Sequence, residues 1–445
     1  MRKTGNTRLG LLGTVALLGL GACTSGVQND GASDAPASGD GGAAGQTVVR
    51  LSSFFSDREA EVIDTALAMF EADHPGIKVE HTSGQTKDTQ LQSLRSRDGF
   101  DVIMYGESAD VPSLCNAGSF ISLNDNMESD GVSPDLFVDA TMEYTTWDDV
   151  HCALPMLSDV YALYYNKQLL ADAGVDVPET LEELSAAAEA LTVKSSSGSI
   201  DRAGFMPLLD YGQMNARSMT PPFDLQWLND DGTSAIDSDP NWAQMLTWQK
   251  DLINFYGGTE LQAFRAALGD EFSAQHPFYT EQLAMMVDGE WRVAFLENEK
   301  PDLEYGVVPI PTSDPTKAGG GYIAGTTLGI PSNAREQEAA WELISYLSTN
   351  DEVLEFMASE LRNVPTTVAG LNNEKLRESE PFAALMDIAL NPNSRTIPAT
   401  LSGAGMADTF TASVGQWQWS DESDPSSFLT GVADQVNALL EQSER

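Results

Sequence analysis

Basic residues are scarce in this 445-residue chain: 24 Lys and Arg stand against 67 Asp and Glu, a net charge of −43. That field repels nucleic acid and anionic lipid headgroups, which argues against both as partners. The acids are spread along the whole sequence and read as a solvated surface rather than a cation trap. Histidine is scarcer still: His74, His81, His151 and His276 are scattered. No His-Glu-x-x-His or Gly-x-Ser-x-Gly occurs, and Gly319-Gly320-Gly321 lacks the Lys-Ser/Thr of a phosphate cradle. Catalytic residues, a bound metal and a cofactor are all expected to be absent. No apolar run beyond the first 22 residues is long enough to cross a bilayer, and no short-period repeat is present. Cysteine is limited to Cys23, Cys115 and Cys152, none in a zinc or redox spacing.

What is present begins with an export segment. Arg2, Lys3 and Arg8 form a basic head, 11–20 is apolar, and Leu20-Gly21-Ala22 places small residues before Cys23. This pattern resembles the lipobox, which implies removal of residues 1–22 and diacylation of Cys23. The alternative is an ordinary secretory signal with an incidental cysteine. Either way the mature protein is exported, and in that oxidising setting Cys115 and Cys152 are expected to form a disulfide. Residues 24–46 are nearly all Gly, Ala, Ser, Asp, Asn and Pro. Such a tether spans roughly 25–30 Å and contributes nothing to a core.

Folding signals start at Thr47. Residues 48–51 and 77–80 read as strands, and 101–104 as a buried one. Between the first two, Val62, Ile63, Ala66, Leu67 and Phe70 repeat at helical spacing, opened by a Ser56/Glu59 capping box and stopped by His74-Pro75-Gly76. The same alternation returns: a strand over 161–165, a Thr180/Glu183 capping box opening a helix over 181–191, and helices over 242–255 and 334–348. Trp417 and Trp419, two apart, suggest a strand or an irregular face. Strands alternating with helices predict an α/β fold with parallel pairing, and the length suits two lobes.

Several ordered stretches carry a further likeness. They include Phe100-Asp101-Val102-Ile103, the run Leu154-Pro155-Met156-Leu157-Ser158-Asp159-Val160-Tyr161 continuing to Asn166-Lys167, Ala284-Met285-Met286-Val287-Asp288-Gly289-Glu290-Trp291, and Tyr305-Gly306-Val307-Val308-Pro309. In this order the chain resembles the extracellular solute-binding proteins of ATP-binding-cassette importers, in the sugar-binding family that includes maltose-binding protein. The resemblance implies a two-lobed periplasmic-binding-protein-like clamp of type II with several hinge crossings. Lobe one would hold 47–154 with 325–368, and lobe two 155–324 with 369–445. Crossings would fall near 153–155, 323–325 and 367–371.

It also implies capture of a carbohydrate by a monomer lipid-anchored to the outer face of the bacterial cell membrane, and delivery to permease subunits. Asp159 and Trp291 would be a carboxylate contact and a stacking ring, Tyr105 and Glu107 a loop after the third strand, and Asp210-Tyr211 a contact from the second lobe. Asp57 follows the first strand, where open α/β sheets bind ligands, and Tyr322 and Arg362 border the crossings. The chemistry suits these types: sugar C–H faces pack on aromatic rings, and hydroxyl edges pair with carboxylates. Other readings stay open. Trp291 lies among Met285, Met286 and Phe295 and could be core; Arg362 could pair with Glu360; Tyr164-Tyr165 could hold iron. An exported carbohydrate hydrolase and a glycerol phosphate binder are the functional alternatives.

Overall fold

The structure is a computed structural model that describes residues 46–444. The export segment, Cys23 and nearly all of the expected tether lie outside the described residues. In chain order the strands are β1 (Thr47–Ser53), β2 (Ile77–Thr82), β3 (Val102–Tyr105), β4 (Thr146–Trp147), β5 (Val150–His151), β6 (Ala153–Val160), β7 (Ala162–Asn166), β8 (Val193–Lys194), β9 (Ile200–Phe205), β10 (Leu283–Asp288), β11 (Tyr305–Val308), β12 (Ile323–Gly329) and β13 (Val364–Pro365). They form a six-stranded sheet in the order β13-β6-β12-β3-β1-β2, a five-stranded sheet in the order β11-β7-β10-β9-β8, and a β4-β5 hairpin.

Neither large sheet is purely parallel. β1 pairs parallel with β2 and β3, but β12 runs antiparallel to both β3 and β6, and β13 antiparallel to β6. The alternating pattern of a strand carries no direction, so the reversal was not legible in it. It arises because β12 comes back from the five-stranded sheet. The chain passes from one sheet to the other at Tyr161, between β6 and β7, and returns between β11 and β12. Residues 153–160 therefore run within the six-stranded sheet, and the passage lies beyond the expected 153–155.

Each sheet has its own core. Val49, Leu51, Ile63, Phe70, Leu154, Met156, Ile344 and Met357 pack around the first; Ile63 and Phe70 project from the face that periodicity had marked, whereas Met357 lies on helix Asp351–Leu361, which it had not. Leu163, Phe205, Trp242, Met285, Phe410 and Val436 pack around the second, so helices Gly405–Trp417 and Ser426–Ser443 belong to it.

Local signals succeed and fail in instructive places. Helix Leu181–Leu191 carries its full capping box. Helix Asp57–Asp73 does not: Ser56 accepts no capping bond from the helix, its hydroxyl donating instead to Asp57 Oδ2 at 3.3 Å. Trp417 closes helix Gly405–Trp417 rather than lying on a strand or irregular face, whereas Trp419 follows in an irregular turn. There Lys250 Nζ donates to the carbonyls of Trp417, Gln418 and Ser420 at 3.2, 3.0 and 2.7 Å, satisfying orphan groups of the helix end. Cys115 and Cys152 are joined by a disulfide, with Cα atoms 5.6 Å apart.

Candidate functional site

The ends of β1, β3, β6 and β12 face the segments that follow β10, and a cavity of about 790 Å³ lies between them. Phe54, Phe55, Asp57, Arg58, Glu59, Gly106, Asp159, Thr326 and Asn363 line it from the side of the six-stranded sheet. Phe272, Trp291, Phe295, Asn298 and Glu299 line it from the other. Phe272 is 64% exposed, a large ring left in solvent at the mouth. Asp57 opens its helix with φ of +49°, a left-handed conformation that a non-glycine residue holds only when its surroundings impose it.

Trp291 is half-buried. Its ring meets Tyr161 edge-on, centroids 5.8 Å apart, and Tyr161 in turn packs on Tyr322 at 5.2 Å. Gly289 is required by this ring: a Cβ there would sit 2.3 Å from the indole. The indole N–H is buried without a hydrogen-bond partner among the described residues.

Asp159 stands at the end of β6 against a residue not singled out from the sequence. Glu290 is fully buried, and its Oε2 accepts the Val160 N–H at 2.7 Å. The Asn363 amide donates to Glu290 Oε1 and lies 3.5 Å from Asp159 Oδ1, so both carboxyls converge on one Nδ2. Burial, then the nearby Glu107, push Asp159 up to about 7, partly offset by a hydrogen bond with Glu290. Burial and Asp159 push Glu290 well above the usual carboxylate range. Two buried carboxyls with no cation beside them cannot both ionise cheaply.

Beyond the Tyr161–Trp291 contact lies a second, polar compartment of about 280 Å³, lined by Glu107, Tyr161, Asp210, Asn215, Arg217, Tyr322, Asp408 and others. Arg217 organises it. Its Nη1 donates to Glu107 Oε1 at 3.1 Å and its Nη2 to Asp408 Oδ1 at 3.0 Å, tying the loop after β3 to the helix Gly405–Trp417. Burial pushes Glu107 up, and Arg217 opposes that. Asp210 is held by Arg265 Nη1 at 2.9 and 3.0 Å and by Gln418 Nε2 at 2.7 Å. Burial raises the Tyr322 hydroxyl to about 12.

The residues picked out from the sequence thus divide. Asp57, Asp159 and Trp291 meet in the aromatic compartment, and Glu107, Asp210 and Tyr322 in the polar one. Tyr211 lines a separate cavity of about 220 Å³ with Glu271, His276 and Asp288, its ring 5.8 Å from the Arg265 guanidinium. Tyr105 is 1% exposed and donates its hydroxyl to Asp110 Oδ2 at 2.8 Å. Arg362 ends helix Asp351–Leu361 at φ of +59° and pairs with Glu297 at 3.0 Å, not with Glu360. Tyr164 is fully buried and donates its hydroxyl to the Gly289 carbonyl at 2.7 Å, a support for the Trp291 turn rather than a free phenol. Arg217 and Glu290 went unnoticed, although Glu290 sits inside a stretch already singled out.

The sequence profile of the bacterial extracellular solute-binding protein family matches residues 56–353. Among curated proteins, the multiple sugar-binding protein of Streptococcus mutans is 23% identical over 324 residues, 71% of this chain and 74% of that one. Among solved structures, CpMnBP1 with mannotriose bound superposes with a TM-score of 0.77 at 22% identity, over 88% of this chain and all of that one. The sugar-binding protein MalE of Xanthomonas citri superposes at 0.75 and 19% identity, over 89% and 98%. These likenesses show a two-lobed α/β binding-protein fold.

Proposed function

Because the chain belongs to the family of bacterial extracellular solute-binding proteins, we propose that it captures a sugar or oligosaccharide between its lobes and passes it to the permease of an ATP-binding-cassette importer. The observation that carries this is the aromatic compartment. Ring faces of Phe54, Phe272, Trp291 and Phe295 and the carboxyls of Asp57, Glu59 and Asp159 reach one space from two sheets. A pyranose offers apolar C–H faces to the rings and hydroxyls to the acids, and contacts from both sides form together when a clamp closes. The relatives named for sugars support the same chemistry. We place lobe one on the six-stranded sheet and lobe two on the five-stranded sheet, hinged at Tyr161 and between β11 and β12.

A thermal-shift screen against a sugar panel tests the reading. A ligand that binds only the folded clamp adds about 2.7 kcal/mol at a hundredfold excess over its Kd. The sugar that binds is expected back unchanged after incubation; repeated turnover abolished by Asp159→Asn would turn the site into that of a hydrolase. No stabilisation by any mono- or oligosaccharide would overturn the carbohydrate assignment. We also propose that lipid on Cys23 anchors the exported protein. Cys23→Ser is then expected to move it from the membrane to the soluble fraction, and unchanged partitioning would refute the anchor.

A further inference from the structure

Glu290 reaches out of one sheet into the other. It follows β10 of the five-stranded sheet, yet its carboxyl accepts from the Val160 N–H of β6 and from Asn363 beside β13, both in the six-stranded sheet. The Asn363 amide also lies 3.5 Å from Asp159 Oδ1, so it draws the two acids to one point beside the aromatic compartment, which Asp159 and Asn363 line. We propose that Glu290 is a positioning residue of this cleft: sharing one proton with Asp159 across the passage between the sheets, it fixes the Asp159 carboxyl toward the bound sugar. This rests on the carbohydrate reading above for its ligand, but the shared proton itself does not.

The surroundings decide how the pair behaves with pH. Facing it are Glu107 from the loop after β3, Tyr144 from helix Asp139–Thr145, Tyr161 beside it, Tyr164 from β7 and Tyr322 from the approach to β12. Each tyrosine is raised by burial and stays neutral near pH 7. Glu107 is the further charge that raises Asp159, and it is engaged by Arg217, which is also shared with Asp408; Asp57, Arg58, Glu59 and Glu299 line the same compartment as Asp159. With one proton between them the carboxyls attract; with none they repel and the contact opens. Sugar affinity is therefore expected to fall as the pH rises through neutrality.

Two measurements test this. Infrared titration of the ligand-free protein, taken as the difference between wild type and Asp159→Asn so that other raised acids such as Asp288 cancel, is expected to show a protonated-carboxyl band near pH 6 that fades on raising the pH and is shifted in Glu290→Gln. In calorimetric titrations with the best sugar from the panel, wild-type affinity is expected to drop severalfold between about pH 6 and about pH 8, within the ceiling of about tenfold per pH unit for one linked proton. Glu290→Gln, which keeps the length and removes the second charge, is expected to bind with little change over that interval. Glu290→Ala is expected to bind weakly throughout. An absent band, or a wild-type affinity slope that Glu290→Gln retains, would overturn the proposal while leaving a sugar-binding protein. A band that behaves as expected in a protein that binds no sugar would overturn the carbohydrate reading and, with it, the positioning role, leaving only the shared proton.

Discussion

On the polar side of the cleft, Arg217 stands between Glu107 and Asp408, and Arg265 holds Asp210. On the aromatic side, Asp159 and Glu290 have each other and a neutral amide, with no ion pair to either among the described residues. The same residue type is used in opposite ways. Glu107 and Asp408 share a guanidinium, and Asp210, bonded to Arg265 and Gln418, has little acceptor capacity left to offer a ligand. Asp159 and Glu290 lack one: burial pushes both up, and Asp159, which lines the cleft, keeps hydrogen-bonding capacity for whatever enters. On the proposed reading, the aromatic compartment is where a ligand gains most, and the polar compartment is where Arg217 ties the loop after β3 to helix Gly405–Trp417.

The largest test of that division is Trp291→Ala. Loss of the ring face is expected to weaken sugar binding about tenfold, which is about 1.4 kcal/mol, with a smaller effect on unliganded stability. Trp242→Ala is the control, because Trp242 is fully buried among Trp227 and Phe410. It is expected to cost about 3–5 kcal/mol of stability with or without sugar. If Trp291→Ala behaves like Trp242→Ala in melting and titration, the ring is core, and the aromatic compartment loses its role.

Next in size is Arg217→Leu, which strips the cation from the polar compartment. The ion pairs are partly exposed, so the expected loss is about 1–2 kcal/mol of stability, measured by denaturant unfolding, with sugar affinity changed less than about threefold. Collapse of affinity at preserved stability would instead make Arg217 a ligand group and erase the contrast between the compartments.

Asp159→Asn probes the pair from the stability side. The folded protein holds Asp159 up to about 7, above its ordinary value of about 4, so the folded state keeps a proton that the unfolded chain has released. That stabilising contribution is complete below about pH 4 and is lost as the pH rises through about 7. Asparagine has no proton to lose. The unfolding free energy of Asp159→Asn is therefore expected to gain on that of the wild type across this interval, by an amount on the order of 1 kcal/mol or more. Parallel pH–stability curves for the two proteins would show that the acid is not perturbed.

How much of this could be read from the sequence follows from the range of each interaction. Helix Leu181–Leu191, with Thr180 and Glu183 four residues from end to end, was legible because its signals are local. Trp291 and Asp159 were legible as residue types in a familiar order. The pairings were not: Glu290 meets Asn363 across 73 positions, and Arg217 meets Glu107 across 110. Strand direction was hidden for a related reason, since β12 acquires it from a return passage and not from its own residues. The Ser56/Glu59 pattern misled because Ser56 was drawn to the neighbouring Asp57, which the left-handed start of the helix brings into reach.

The smallest expected effect belongs to Asp210→Asn, and it bears most directly on what pairing means. Asp210 was a candidate contact from the place it holds in the family resemblance, and it does line the polar compartment. Its Oδ1 already accepts from Arg265 and Gln418 and its Oδ2 from Arg265, which fills most of the acceptor capacity of a carboxylate. A sugar hydroxyl would have to compete with a guanidinium already in place. Calorimetric titration of Asp210→Asn is therefore expected to give an affinity within about twofold of wild type, under about 0.5 kcal/mol. A tenfold loss in a variant that melts normally would mean that ligand reaches past Tyr161 to a paired acid, and that pairing does not decide which carboxylates bind.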